Sequence, residues 1–227
     1  MLIISLGYTC YVKSLINLTK FKKETDLFDW MNSFEFNKII NCLDAKCDIF
    51  RNIVKSPISI DVNNTTVHWN ERYSFRMPHE TNINESIITY KRRHERFLGY
   101  KKTKDNYLFF RLINCGRYEF DPESLETNYN EICFNRLMSF LPENSKIMLI
   151  SDKKMTDANL KLISNKFIVV DDCMNPEHVY FGPYMHHKNL IIACYDKCFE
   201  YIDKNFNTLD SNKIHSFIKN EHLGIKS

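Results

Sequence analysis

Glycine is scarce in this chain of 227 residues, and the five present, Gly7, Gly99, Gly116, Gly182 and Gly224, are widely separated. Dinucleotide turns and phosphate loops both need clustered glycines, so G-x-G-x-x-G and G-x-x-x-x-G-K-[ST] sites are excluded. Strong positive charge is also missing. The net charge is +3 and the pI about 8.3, short of a dedicated nucleic-acid binder. The basic runs Lys91-Arg92-Arg93 and Lys101-Lys102 read as solvated surface first and an anion patch second. No apolar run approaches the roughly 20 residues of a membrane helix. Met1 to Leu6 lacks a basic leader region, and its apolar run stops at Gly7, so it reads as a buried strand and not as a signal peptide. Neither a membrane partner nor a nucleic-acid partner is expected.

Cysteine, by contrast, is plentiful: Cys10, Cys42, Cys47, Cys115, Cys133, Cys173, Cys194 and Cys198. Without a secretion signal, and in a chain this long, they do not suggest a disulfide scaffold. Cys42/Cys47 and Cys194/Cys198 lack C-x-x-C spacing, so no metal is expected. Most of these thiols read as small core residues in a reducing compartment, and the expected location is the cytoplasm. Nothing in the sequence calls for an organic cofactor. The richness in Asn, Ile and Lys suggests an AT-biased genome, as in some viruses, protists and bacteria.

Periodicity gives the organisation. Leu2 to Leu6 reads as a buried strand, followed by a helix on Tyr11, Val12, Leu15, Ile16 and Leu18 with Thr9 as its N-cap. Residues 21 to 34 read as a loop and 35 to 43 as a second helix. From Ile53 to Met77 apolar and polar residues mostly alternate, which gives one or two β-hairpins around Asn63-Asn64. Asn84 to Leu98 is helical. Then come a strand at Tyr107 to Ile113, a helix at Leu125 to Leu141, a strand at Lys146 to Ser151, a helix at Asp157 to Ser164 and a strand at Lys166 to Asp171. Leu190 to Cys194 and Tyr195 to Phe206 read as a further strand and a closing helix. This alternation predicts a single α/β domain over 1–227, with a mainly parallel sheet flanked by helices and a hairpin-rich insertion at about 53–78. Ligands of such sheets bind beyond the carboxyl ends of the strands, here Gly7 to Cys10, Asn114 to Arg117 and Asp152.

Cys10 stands where the first strand meets a helix. Unpaired N–H groups and the helix dipole there would favour thiolate and could hold an oxyanion. A buried structural cysteine is the plainer alternative. A nucleophilic cysteine needs a base, and the base an orienting group. His79, on a loop between hairpin and helix, is the first candidate, and the adjacent pair His186-His187 the second. His68 alternates within the hairpin and reads as facing solvent, while His94 reads as structural. His178, His215 and His222 read as surface residues. Asp29, between Phe28 and Trp30, is either a buried carboxylate that orients the imidazole or a residue that caps its own turn.

Ser5-Leu6-Gly7-Tyr8-Thr9-Cys10, followed by Leu27-Phe28-Asp29-Trp30, resembles the opening of a papain-like cysteine peptidase family with S-L-G-x-x-C and P-F-D-W segments. His79-Glu80, the helix residues Tyr90, Arg93, Arg96 and Phe97, and the strand Leu108 to Arg111 extend the likeness over the first half of the chain. Leu27 stands where that family has proline. The resemblance implies a Cys10/His79 dyad with Asp29 as orienter, acting on a peptide, isopeptide or other acyl bond. Gly7, Tyr8, Thr9, Trp30 and Arg111 would line the substrate. Two other functions remain open. One is an α/β transferase using Arg111, Arg117, Asp152 and Lys153 on a sugar-nucleotide donor. The other is a non-catalytic protein, such as a viral factor that binds a host protein.

Overall fold

The computed structural model describes residues 2–8, 12, 13, 16, 24–33, 35–46, 49, 53–60, 66–77, 82–113, 122–151 and 154–171. Among these residues the fold is mixed α/β, with one four-stranded parallel sheet, one four-stranded antiparallel sheet, and helices.

The parallel sheet contains β1 (Leu2–Ser5), β6 (Tyr107–Ile113), β7 (Lys146–Ser151) and β8 (Ile168–Val170), side by side in that order. Its register pairs Ile4 with Phe109, Phe109 with Ile147, and Leu149 with Val169. Near-continuous apolar runs form these strands because both faces of the sheet are covered. Ile4, Leu6, Phe109, Ile113, Ile147 and Leu149 join the main core. On the opposite face Ile3, Leu108, Phe110, Leu112, Met148 and Ile150 are equally buried.

The antiparallel sheet contains β2 (Asn32–Ser33), β3 (Ile53–Ile60), β4 (Thr66–Asn70) and β5 (Phe75–Met77), in the order β2-β5-β4-β3. Three of these strands are the expected hairpins. The fourth, β2, lies in the segment expected to be a loop and pairs Asn32 with Arg76 and Ser33 with Phe75. Two residues carry no alternation to read, and tertiary pairing alone makes them a strand. His68, expected to face solvent, is buried on β4. Its strand neighbours on both sides place it inside the sheet.

Among the described residues the helices are α1 (Phe36–Asp44), α2 (Ile83–Tyr100), α3 (Pro122–Tyr129), α4 (Glu131–Met138) and α5 (Asp157–Leu162). Val12, Lys13 and Ile16 are also helical. Asn82 starts α2, its side chain accepting from the N–H groups of Asn84 and Glu85. One helix was expected over Leu125 to Leu141, but two occur. Asn130 adopts an extended backbone and accepts from Cys133 N–H at 2.8 Å, so it ends α3 and N-caps α4. The apolar spacing runs through this break, which is why periodicity reads it as continuous. The elements expected at 190–194 and 195–206 lie outside the described residues.

Candidate active site

The carboxyl end of β1 turns sharply. Leu6 N–H still donates to Phe110 O at 2.8 Å, but Gly7 and Tyr8 then take φ values of 78° and 98°. Gly7 is required there twice over. Its φ disfavours any side chain, and a Cβ would lie 2.3 Å from Ser33 Oγ. Tyr8 has a side chain in a region that favours glycine, a strain of about 1–3 kcal/mol. Its surroundings hold it there. Tyr8 N–H donates to Ser33 Oγ at 3.0 Å, and Ser33 N–H donates to Tyr8 O at 3.0 Å. Ser33 on β2 therefore docks the antiparallel sheet onto the end of β1.

Arg111 completes this support. It is fully buried on β6. Its Nη1 donates to Leu6 O at 3.2 Å and to Ser33 Oγ at 3.1 Å, and its guanidinium lies 5.3 Å from the Tyr8 ring centre and 5.5 Å from that of Phe36. Of the expected substrate-lining residues, Gly7 and Tyr8 thus form the turn itself and Arg111 supports it from inside the protein. Gly7 N–H is taken by Ser5 Oγ at 2.9 Å and Tyr8 N–H by Ser33 Oγ. Both N–H groups at this edge are therefore engaged within the protein. Thr9 and Cys10 themselves lie outside the described residues.

Asp29 is completely buried. Its Oδ2 accepts from Asp26 N–H at 2.6 Å and pairs with Lys13 Nζ at 3.0 Å, and Lys13 also donates to Glu24 O at 3.0 Å. The carboxylate thus ties its own turn, one of the two roles open from the sequence, and it also grips the helical segment that follows Cys10. Trp30 beside it is half-buried.

The two later motif segments meet here. Phe97 packs edge-on against Phe28 with ring centres 5.7 Å apart. Arg96 donates to Thr25 O at 2.9 Å and pairs with Glu24 at 2.7 Å. Tyr100 donates to Asp26 Oδ1 at 2.6 Å. Burial, then the charge of Asp26 and this hydrogen bond, push the Tyr100 hydroxyl well above the usual tyrosine range. The turn carrying Phe28, Asp29 and Trp30 is thereby fastened to α2, which begins four residues after His79. His79 lies outside the described residues, as do His178, His186, His187, His215 and His222. So do Arg117, Asp152 and Lys153 of the transferase alternative. His94 is half-buried on α2.

Sequence reasoning missed Ser33 and Lys13. Neither sits in a recognisable motif, and only the folded contacts give them a role. Cys42 and Cys133 are buried in the core. Burial raises the Cys133 thiol pKa, and its Sγ donates to Thr127 O at 3.2 Å. Among the described residues, no group of His, Cys, Asp and Glu could hold a metal ion, and no helix is long and apolar enough to cross a membrane. Comparison with protein-family models, with curated proteins and with solved structures found no match.

Proposed function

We propose that the chain is a papain-like thiol hydrolase acting on a peptide, isopeptide or other acyl bond. Cys10 is the nucleophile and His79 the general base, then acid. The Cys10 thiolate adds to the acyl carbon, and the leaving group departs with a proton from the His79 imidazolium. Water, deprotonated by His79, then hydrolyses the thioester and releases the acid and the thiol. The observation that carries this reading is the strained Gly7–Tyr8 turn, two residues before Cys10, over-determined by Ser33 and Arg111. Backbone strain held this firmly is concentrated at functional sites. The cysteines, read from the sequence as core thiols, fit a reducing compartment, for which we take the cytoplasm. The antiparallel strands are then an insertion in one α/β domain. The transferase reading loses Arg111, whose guanidinium is engaged inside the protein.

The test is a short peptide carrying a vinyl sulfone, which a catalytic thiolate traps as a stable thioether. Intact-mass analysis and peptide mapping should place one label on Cys10, absent in C10A and strongly reduced in H79A. Labelling spread evenly over several cysteines, or a label unaffected by H79A, contradicts the assignment.

A further inference from the structure

We infer that Arg93 and His94 on α2 form a binding site for a phosphate group. The inference is independent of the hydrolase reading, because neither residue belongs to the Cys10/His79 pair. It begins with Lys91-Arg92-Arg93, a run that reads in the sequence as solvated surface or an anion patch. The structure divides this run. Lys91 and Arg92 are exposed, while Arg93 and the next residue, His94, are half-buried. Arg93 Nη1 and His94 Nε2 are buried atoms, and among the described residues neither has a hydrogen-bond partner. Arg96, the next arginine on the helix, differs: it donates to Thr25 O and pairs with Glu24. Nearly all buried polar groups are hydrogen-bonded, and leaving one unmet is costly, most of all on a charged group. Two on consecutive residues therefore call for a ligand that meets both.

Position makes them one site. Counted from the buried Tyr90, Arg93 is i+3 and His94 is i+4, spacings that set side chains next to each other on a helix. The Arg93 guanidinium lies 4.7 Å from the Tyr90 ring centre. That contact holds the cation without supplying an acceptor oxygen. Chemistry then selects the occupant. A guanidinium only donates, and an imidazole donates as its Nε2–H tautomer, so the ligand brings acceptor oxygens. Lys91 and Arg92 alongside add positive charge, and Glu95 is the single acid in 91–96. A phosphate carries more charge and more oxygens than a carboxylate, and it draws more on this excess and on the arginine fork.

The experiment titrates inorganic phosphate into wild type, R93M, R93K, H94F and K91A/R92A, with acetate at matched ionic strength as the control, and follows Tm. In the wild type, phosphate at about ten times its Kd raises Tm by roughly 3–6 °C, and acetate does not. R93M and H94F each weaken binding at least about tenfold, the scale of one hydrogen bond to a charged group. R93K keeps the charge without the fork, binds with intermediate affinity, and serves if R93M fails to fold. K91A/R92A weakens binding less, and its difference from wild type shrinks as sodium chloride is added. Phenyl phosphate, titrated in parallel, separates two sources of the group: tighter binding than inorganic phosphate points to an ester, weaker binding to the free ion, and either supports the site. No shift with phosphate in the wild type, or an equal shift with acetate, overturns the inference. A shift that persists undiminished in R93M or in H94F places the anion elsewhere and overturns it equally.

Discussion

The close fit of Gly7 against Ser33 makes a quantitative test of the turn. Replacing Ser33 by alanine removes the oxygen that accepts from Tyr8 N–H and from Arg111 Nη1. Arg111 keeps Leu6 O, but Tyr8 N–H is left buried and unmet. An orphaned buried donor costs about 1–3 kcal/mol and a lost bond to a charged group about 1.5, so S33A should cost about 3 kcal/mol. G7A should cost slightly more. Its left-handed backbone adds about 1 kcal/mol, and a Cβ 2.3 Å from Ser33 Oγ expels that hydroxyl and breaks the same two bonds. In the double variant the clashing oxygen is gone, and the next neighbour of the new Cβ, Phe28 Cβ, lies at an ordinary 3.4 Å. The double variant should therefore cost about 4 kcal/mol and not the additive value of about 7. Urea unfolding of the four proteins measures the coupling, expected at about 3 kcal/mol. In thermal melts S33A alone should lower Tm by roughly 6–12 °C for a chain of this size. Additive losses would refute the reasoning, because they would mean that Gly7 and Ser33 do not share the same two hydrogen bonds.

Two further predictions concern the segment around Asp29. Tyr100 has a raised pKa in the folded state, so above about pH 10 the unfolded chain loses this proton while the folded chain keeps it. Stability should fall as pH rises through that window, and Y100F should flatten the fall; equal slopes in the two proteins would contradict the burial of this hydroxyl against Asp26. F97A removes the ring between Phe28 and Phe109 and should cost about 3–5 kcal/mol in urea unfolding. A loss below about 1 kcal/mol would show that Phe97 does not carry the turn.

Strands that are buried on both faces were the most legible part of the chain. Tyr107–Ile113 and Lys146–Ser151 have the bounds that their apolar runs imply. Burial of a continuous run leaves little choice of register or face. Helix ends were less legible, because caps such as Asn130 act through one hydrogen bond and leave the apolar spacing intact. β2 was hidden because two residues have no period, and its partners are Arg76 and Phe75, far along the chain. At the candidate site the sequence pointed to Asp29 through its aromatic neighbours, and burial agrees. It did not show the lysine that Asp29 holds. Arg111 was expected to bind a ligand, with Arg117, Asp152 and Lys153, at the carboxyl ends of the parallel strands. Its side chain turns instead into the protein, where Leu6 O, Ser33 and two aromatic rings surround it.

The nucleophile itself is the central claim, and the pH dependence of thiol alkylation tests it most directly. With limiting iodoacetamide, Cys10 should react ahead of the buried Cys42 and Cys133. Its rate should persist below the ordinary thiol pKa of about 8.5, as expected for a thiolate held by an imidazolium. H79A should return the rate to a single titration near that ordinary value. A Cys10 that titrates as a free thiol in the wild type, or a profile identical in H79A, would contradict the account.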